Sequence, residues 1–301
     1  MRLYRFKEDV PASLWILLVL SVQLFTFFCI KDLYVVAGVM LALLASSASA
    51  GSISHNHHHT HTFTRPWLNR VYEVVMFLET GVLPYAWTLH HNLGHHKHYL
   101  EPELDTSAWQ HKNGRVMHRV YYDVVNAALI YPQVCHMGRQ HPEVYRRFKF
   151  WAVISLAVLG VFFLIDPLKA LVLFVVPMPL MFIGLLDNTY MQHSDLDISS
   201  PYTASRNSFS GLYNRISWNL GYHTAHHLRP NLHWSKLPEF HAQIAERIPA
   251  GVQCHSLLLS ACSYRHSRDA VPAAPAPAPA PVVARPKPRT PVRGEALKAL
   301  S

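Results

Sequence analysis

The chain has 301 residues, half of them hydrophobic and only 15% charged, with a formal net charge of +9. A soluble globular chain carries about a quarter charged residues, so this deficit, concentrated in four apolar runs, argues against a soluble enzyme and for an integral membrane protein. The basic residues are spread over loops and a tail instead of one recognition element, which argues against nucleic acid as the partner.

After a basic start at Arg2, Arg5 and Lys7, residues 12–30 carry no charge. That run is long enough to cross the ~30 Å hydrocarbon layer as a helix, and longer than the roughly 7 to 15 apolar residues of a signal peptide. Lys31 and Asp32 make a turn, and residues 33–50 return, ending in small residues suited to close helix packing. Residues 71–87 are apolar but include Glu73, Glu79 and Pro84; the expectation is a helix lying in the interface. Residues 101–149 turn polar and basic. A second apolar hairpin follows at residues 150–165 and 168–186, joined by Asp166-Pro167, with Pro177 and Pro179 kinking the return.

These expectations define an all-α integral membrane fold with four transmembrane helices in two hairpins and a histidine-rich helical cap. Four crossings place residues 1–11, 51–149 and 187–301 on one side, with 3, 10 and 12 Lys and Arg, against single lysines, Lys31 and Lys169, in the opposite turns. The positive-inside rule puts the first side in the cytoplasm. Cys29, Cys135, Cys254 and Cys262 form no C-x-x-C pair and no disulfide framework, in keeping with a reducing cytoplasmic face. Within the cap, Ser235 before Lys236-Leu237-Pro238-Glu239 reads as a helix start. Residues 1–269 form the membrane domain; residues 270–301, Ala/Pro-rich and basic, read as a disordered, partly polyproline tail.

Histidine dominates what remains. Three stretches, HNHHHTH from His55 to His61, HHNLGHHKH from His90 to His98 and GYHTAHH ending at His227, together with His193 and His233, hold 15 of the 22 histidines. Residues four apart share a helix face, so His55 with His59, or equally His57 with His61, can grip one ion. His91 and His95 share a face while His96 turns toward a neighbour. Adjacent imidazoles such as His226 and His227 diverge by about 100°, which suits two ions better than one, with His223 between them. The isolated histidines, His111, His118, His136, His141, His241, His255 and His266, read as surface or core residues. Imidazole suits zinc, copper, nickel and iron, but structural zinc favours four ligands with Cys, and the Glu-x-x-His pairs of soluble di-iron bundles are missing. Copper or iron oxidation chemistry remains, or metal transport. A transporter calls for ionisable groups inside the crossings, and the first run has none.

These motifs resemble the membrane fatty acid desaturase and hydroxylase superfamily, whose three histidine boxes are matched by HNHHH, HNLGHH and GYHTAHH, with His193 as the extra histidine. The resemblance covers roughly residues 12–249. It implies a non-haem di-iron centre that takes dioxygen as co-substrate and oxidises a fatty acyl chain. The implied iron ligands are His55, His59, His91, His95, His96, His193, His223, His226 and His227; alignment of the downstream Leu68-Asn69-Arg70 favours His55 and His59 over His57 and His61. Asn188 lies five residues before His193 where the family has four, with Thr189 in the expected place. Asp105, Asp195 and Asp197 are candidates to orient ligand N–H groups. The longer pattern is similar to bacterial members, so the expectation is a fatty acyl desaturase of a bacterial inner membrane. Hydroxylation and terminal-alkene-forming decarboxylation of a fatty acid are the related alternatives. With neither a ferredoxin-like Cys cluster nor a G-x-G-x-x-G fingerprint in the chain, electrons are expected from a separate ferredoxin or reductase.

Overall fold

The computed structural model describes residues 2–256, apart from the Ser47 side chain. The expected tail, with Cys262 and His266, lies outside the described residues.

Helix α1 spans Asp9–Cys29 and α2 spans Leu33–His59. Asp32 starts α2 by accepting from the Tyr34 and Val35 amides at 2.8 and 3.3 Å, which satisfies two N–H groups that a helix start leaves open. The helix runs nine residues past the expected 33–50, so the first histidine stretch forms its last turns. Its two parts, Leu33–Ser46 and Ala48–His59, are bent by 52°. Ser46 Oγ donates to the Leu43 carbonyl at 2.6 Å beside the bend, the kind of serine back-bond that bends helices.

Helix α3 covers Pro66–Thr80, not 71–87. It begins with Pro66 and stops at Gly81, whose φ of 75° is the left-handed termination that glycine accepts. A π-helical segment, Thr88–His95, runs into the single turn α4, His96–His98. The polar stretch 101–149 contains a long helix that charge reading overlooked: α5, Arg119–Gln140, buries Tyr122, Asn126, Ile130, Val134 and Met137 along one face.

Helix α6 begins at Pro142 rather than residue 150 and runs to Ile165. Asp166 caps the next turn, α7 (Pro167–Ala170), by accepting from the Lys169 amide at 3.1 Å. A second π segment, Leu171–Val175, leads into α8, Pro177–His193. Pro177 has no N–H to give the carbonyl four residues back. That carbonyl, on Leu173, instead accepts from the Gln23 amide of α1 at 3.3 Å.

Among the described residues, three helical runs are long and apolar enough to cross a membrane, Asp9–Cys29, Pro142–Ile165 and Pro167–His193, and the bent α2 makes a fourth if its halves are one span. Leu14, Leu18 and Phe25 of α1 and Val153, Leu156 and Leu164 of α6 are exposed, as lipid-facing residues are.

The C-terminal layer comprises α9 (Gly211–Ile216), α10 (His223–Leu228) and α11 (Leu237–Ile244), with a two-residue parallel pair, β1 (Asn207–Ser208) and β2 (Gln253–Cys254). Ala225, Leu237, Ile244, Ile248 and Val252 form its core. Ser235 is not the helix cap, because its amide bonds His233 Nδ1 at 3.3 Å inside a 3₁₀ turn and α11 starts two residues later. Cys29 and Cys135 are free thiols, whereas Cys254 is disulfide-bonded, contrary to the expectation of an all-reduced set.

Asp9 fastens this layer to α1. Its Oδ1 accepts from Trp234 Nε1 at 2.8 Å and contacts His233 Nε2 at 3.0 Å, with the carboxyl buried. Hydrogen bonds to a charged group contribute about 1.5–3 kcal/mol. Asp9→Ala is therefore expected to lower stability by about 2 kcal/mol, read as an earlier thermal unfolding transition in detergent; an unchanged transition would show the clamp to be idle.

Candidate metal centre

The nine expected histidines come from four places in the fold: His55 and His59 from the end of α2, His91, His95 and His96 from the π segment and α4, His193 from the end of α8, and His223, His226 and His227 from α10. The structure sorts them into two groups. One ring nitrogen from each of His55, His59, His91, His96 and His226 lies within 4.8 Å of all the others, and the same holds for His95, His193 and His227. His223 completes the second group, its Nε2 lying 2.9 Å from His193 Nε2 and 3.1 Å from His227 Nε2.

Helix geometry decides the sorting. His55 and His59 share a face, with ring centroids 4.8 Å apart, while the neighbours His226 and His227 turn to different groups. The second stretch departs from the expected α-helical pairing. In the π segment the His96 amide bonds the His91 carbonyl, five residues back, so His96 comes to lie edge-on to His91, with Nε2 atoms 3.0 Å apart. His95 is thereby sent to the second group. Gly94 makes this bulge possible: Thr106 occupies the space that a Cβ there would need, and its Oγ1 donates to the His90 carbonyl at 2.6 Å.

The nitrogens fit a cation better than they fit one another. His91 Nε2 lies 2.7 Å from His55 Nε2 and 3.0 Å from His96 Nε2, yet a neutral ring nitrogen has one proton or one lone pair to offer and cannot serve both. The Nε2 atoms of His59, His95 and His226 are buried with no partner, which costs about 1–3 kcal/mol each if left so. Burial, followed by crowding from neighbouring imidazoles, holds His91, His96, His223, His226 and His227 well below the usual histidine range. Their lone pairs are therefore available at neutral pH, and the contacts of 2.7–3.1 Å approach the ~3 Å expected between nitrogens at right angles around an ion about 2.1 Å from each.

Partners on the far side of the rings fix which nitrogen faces inward. His95 Nδ1 donates to Asp105 Oδ1 at 2.8 Å, His193 Nδ1 to the Ala204 carbonyl at 2.9 Å and His55 Nδ1 to Asn56 Oδ1 at 3.3 Å, leaving Nε2 as the donor to metal. Asp197 is spent on a local turn with Ser199, and Asn188 Oδ1 accepts from Tyr213 Oη at 2.8 Å. The Ala204 carbonyl, a backbone group, had no signal in the sequence. Trp87, stacked on His91 at 4.8 Å, and Tyr99, 4.2 Å from His227, were likewise unanticipated.

His57 and His61 do not join the nine. They meet Glu73, with His57 Nε2 3.3 Å from Oε1, and Arg70 fills that group, donating to Glu73 Oε2 at 2.7 Å and contacting His61 Nε2 at 2.6 Å. Although three possible ligands converge there, the guanidinium already supplies the cation. His58 donates to the Ser54 carbonyl and His90 contacts Gln133. Of the isolated histidines, those among the described residues lie outside every such group.

A cavity of about 380 Å³ opens on His55, His91, His95 and His223, with Leu180, Met181, Leu185, Ile216 and Leu220 among its apolar lining. Fold and site thus define a helical membrane protein with a buried polyhistidine centre beside an apolar cavity. The chain matches the model of the fatty acid desaturase family over residues 33–257 and belongs to that family, whose membership supports oxidoreductase activity. A comparison with curated proteins returned no match.

Two measurements test the centre. Asp105→Asn should weaken metal binding about 10–100-fold in chelator competition, as loss of an orienting carboxylate does; unchanged affinity would contradict its role. His91, His96, His223, His226 and His227, all outside the spans, take up protons near 6.5 when unfolded but not when folded. Below that pH the unfolded chain binds more protons, so stability falls as pH falls. Metal-free protein is expected to unfold progressively earlier from pH 6.5 to 5, and a flat transition temperature across that range would count against buried neutral imidazoles.

Proposed function

We propose that the protein is a dioxygen-dependent fatty acyl desaturase whose nine imidazoles hold two iron ions. His55, His59, His91, His96 and His226 would hold one, and His95, His193, His223 and His227 the other. The observation that carries this reading is the meeting of an apolar cavity with buried, partnerless imidazole nitrogens, in a chain of the fatty acid desaturase family. When bound, the iron pair supplies the reduction of dioxygen to an oxidant strong enough to take hydrogen from an unactivated C–H bond.

The chain's own residues do the rest. Leu180, Met181 and Leu185 of α8 and Ile216 and Leu220 beyond it receive an acyl chain and keep water from it. Trp87, braced on His91, closes the wall beside the first group. Asp105, the Ala204 carbonyl and Asn56 hold the Nδ1 protons of His95, His193 and His55, so that Nε2 stays directed at the ions. We place the spans as two hairpins, with the histidines on the cytoplasmic side of a bacterial inner membrane, residues 1–269 as the catalytic domain and electrons arriving from a separate ferredoxin or reductase. Desaturation leads because it is the activity for which the matching family is named; hydroxylation and decarboxylation to a terminal alkene draw on the same oxidant and differ in product.

Metal analysis of detergent-purified protein, paired with gas-chromatographic lipid profiles of expressing cells, tests the reading. About two irons per chain and a new unsaturated acid are expected, both lost in His227→Ala. A hydroxy acid or volatile alkene would reassign the reaction within the class, and zinc with an unchanged lipid profile would overturn it in favour of metal transport.

A further inference from the structure

Among the residues lining the histidine cavity, Arg119 is the one permanent cation and Asp187 the one carboxylate. Arg119 is the first residue of α5 and Asp187 lies near the end of α8. Arg119 Nε donates to Oδ1 at 2.5 Å and Nη2 to Oδ2 at 2.8 Å, a two-pronged pair. Neither partner is sealed in, the side chains being 35% and 28% exposed. An otherwise largely apolar cavity has one charged station in its wall, and that station can be reached.

An amphiphile with a long apolar body and one planar anionic head matches such a cavity. A guanidinium has five N–H donors in a rigid fork shaped for carboxylates, so one Arg can serve two of them or exchange one for another. The neighbourhood is prepared for exchange. Asp123, one helical turn along from Arg119, is pushed up to about 7, chiefly by its burial and then by the Asp187 charge. If Arg119 turns to an incoming anion, Asp187 still has an acid neighbour able to share a proton.

We propose that Arg119 binds the carboxylate of an unesterified fatty acid in this cavity and that Asp187 is the internal carboxylate the substrate displaces. This rests on the reading of the cavity as an acyl site and assigns its substrate class: a free acid, with the head anchored by Arg119 in the same chamber onto which four of the histidines open.

The test is equilibrium binding of radiolabelled dodecanoate, methyl dodecanoate and dodecanoyl-coenzyme A to the full-length, iron-loaded protein in detergent. Arg119→Gln should weaken dodecanoate about tenfold, the scale of a lost charge-assisted, two-pronged contact, while binding of the uncharged ester stays unchanged. Asp187→Asn should move the other way and tighten dodecanoate roughly threefold, because it removes the competitor and leaves the guanidinium. A pair that merely clips α5 to α8 predicts that both variants weaken acid and ester together, and that result would overturn the proposal. So would equal dodecanoate binding by wild type and Arg119→Gln, or Arg119-dependent binding of the thioester alone, which would assign the station to a phosphate-bearing carrier. If the wild type binds none of the three ligands, the acyl reading itself fails, an outcome distinct from failure at Arg119.

Discussion

Nine imidazole rings are packed so closely, with ring nitrogens as near as 2.7 Å, that the protein without metal stores unmet electrostatic demand. His91, His96, His223, His226 and His227 are held neutral by burial and by crowding from rings of their own kind. The rest of the architecture supports this crowding: α2 and α8 end in it, a π segment is wound to feed it, and α10 is six residues long with three of them committed to it. The distal partners, Asp105 and the Ala204 carbonyl among them, hold the rings in place against their mutual repulsion.

The two groups also illustrate how one backbone supplies ligands in two directions. Within α10 this needs only consecutive residues, since His226 and His227 diverge by the ordinary helical rotation. In the second stretch the same result is reached by changing the helix. One added residue per turn brings His96 edge-on to His91, and the change depends on a glycine against a threonine side chain. The His57, His61, Glu73 and Arg70 group next door is built from similar side chains, but it includes its own cation and closes on itself.

Much of this was legible in the chain because it rests on local rules. The apolar runs, the turns at Asp32 and Asp166 and the His55 and His59 spacing are properties of short windows. What escaped reading depends on contacts distant in sequence or invisible in side-chain identity. The π bulge comes from Gly94 meeting Thr106, and the support of His193 comes from a backbone carbonyl eleven residues on. Helix α5 was obscured because Asp123 and Asn126, polar by type, sit on its buried face. Nor could short windows show that His57 and His61 meet Glu73 and Arg70, while His55 and His59 lie among the other imidazoles.

The clamp between Asp9 and the His233-Trp234 turn bears on how such a molecule is made. A residue nine positions from the start of the chain is joined to one 225 positions later, and the first and last histidines of the centre are separated by most of the chain between those points. During synthesis, α1 and α2 enter the bilayer long before their partners exist, so the early chain carries His55 and His59 with neither α10 beside them nor the clamp engaged. The centre is therefore a late product of biogenesis, complete only when the C-terminal layer returns to the first helix.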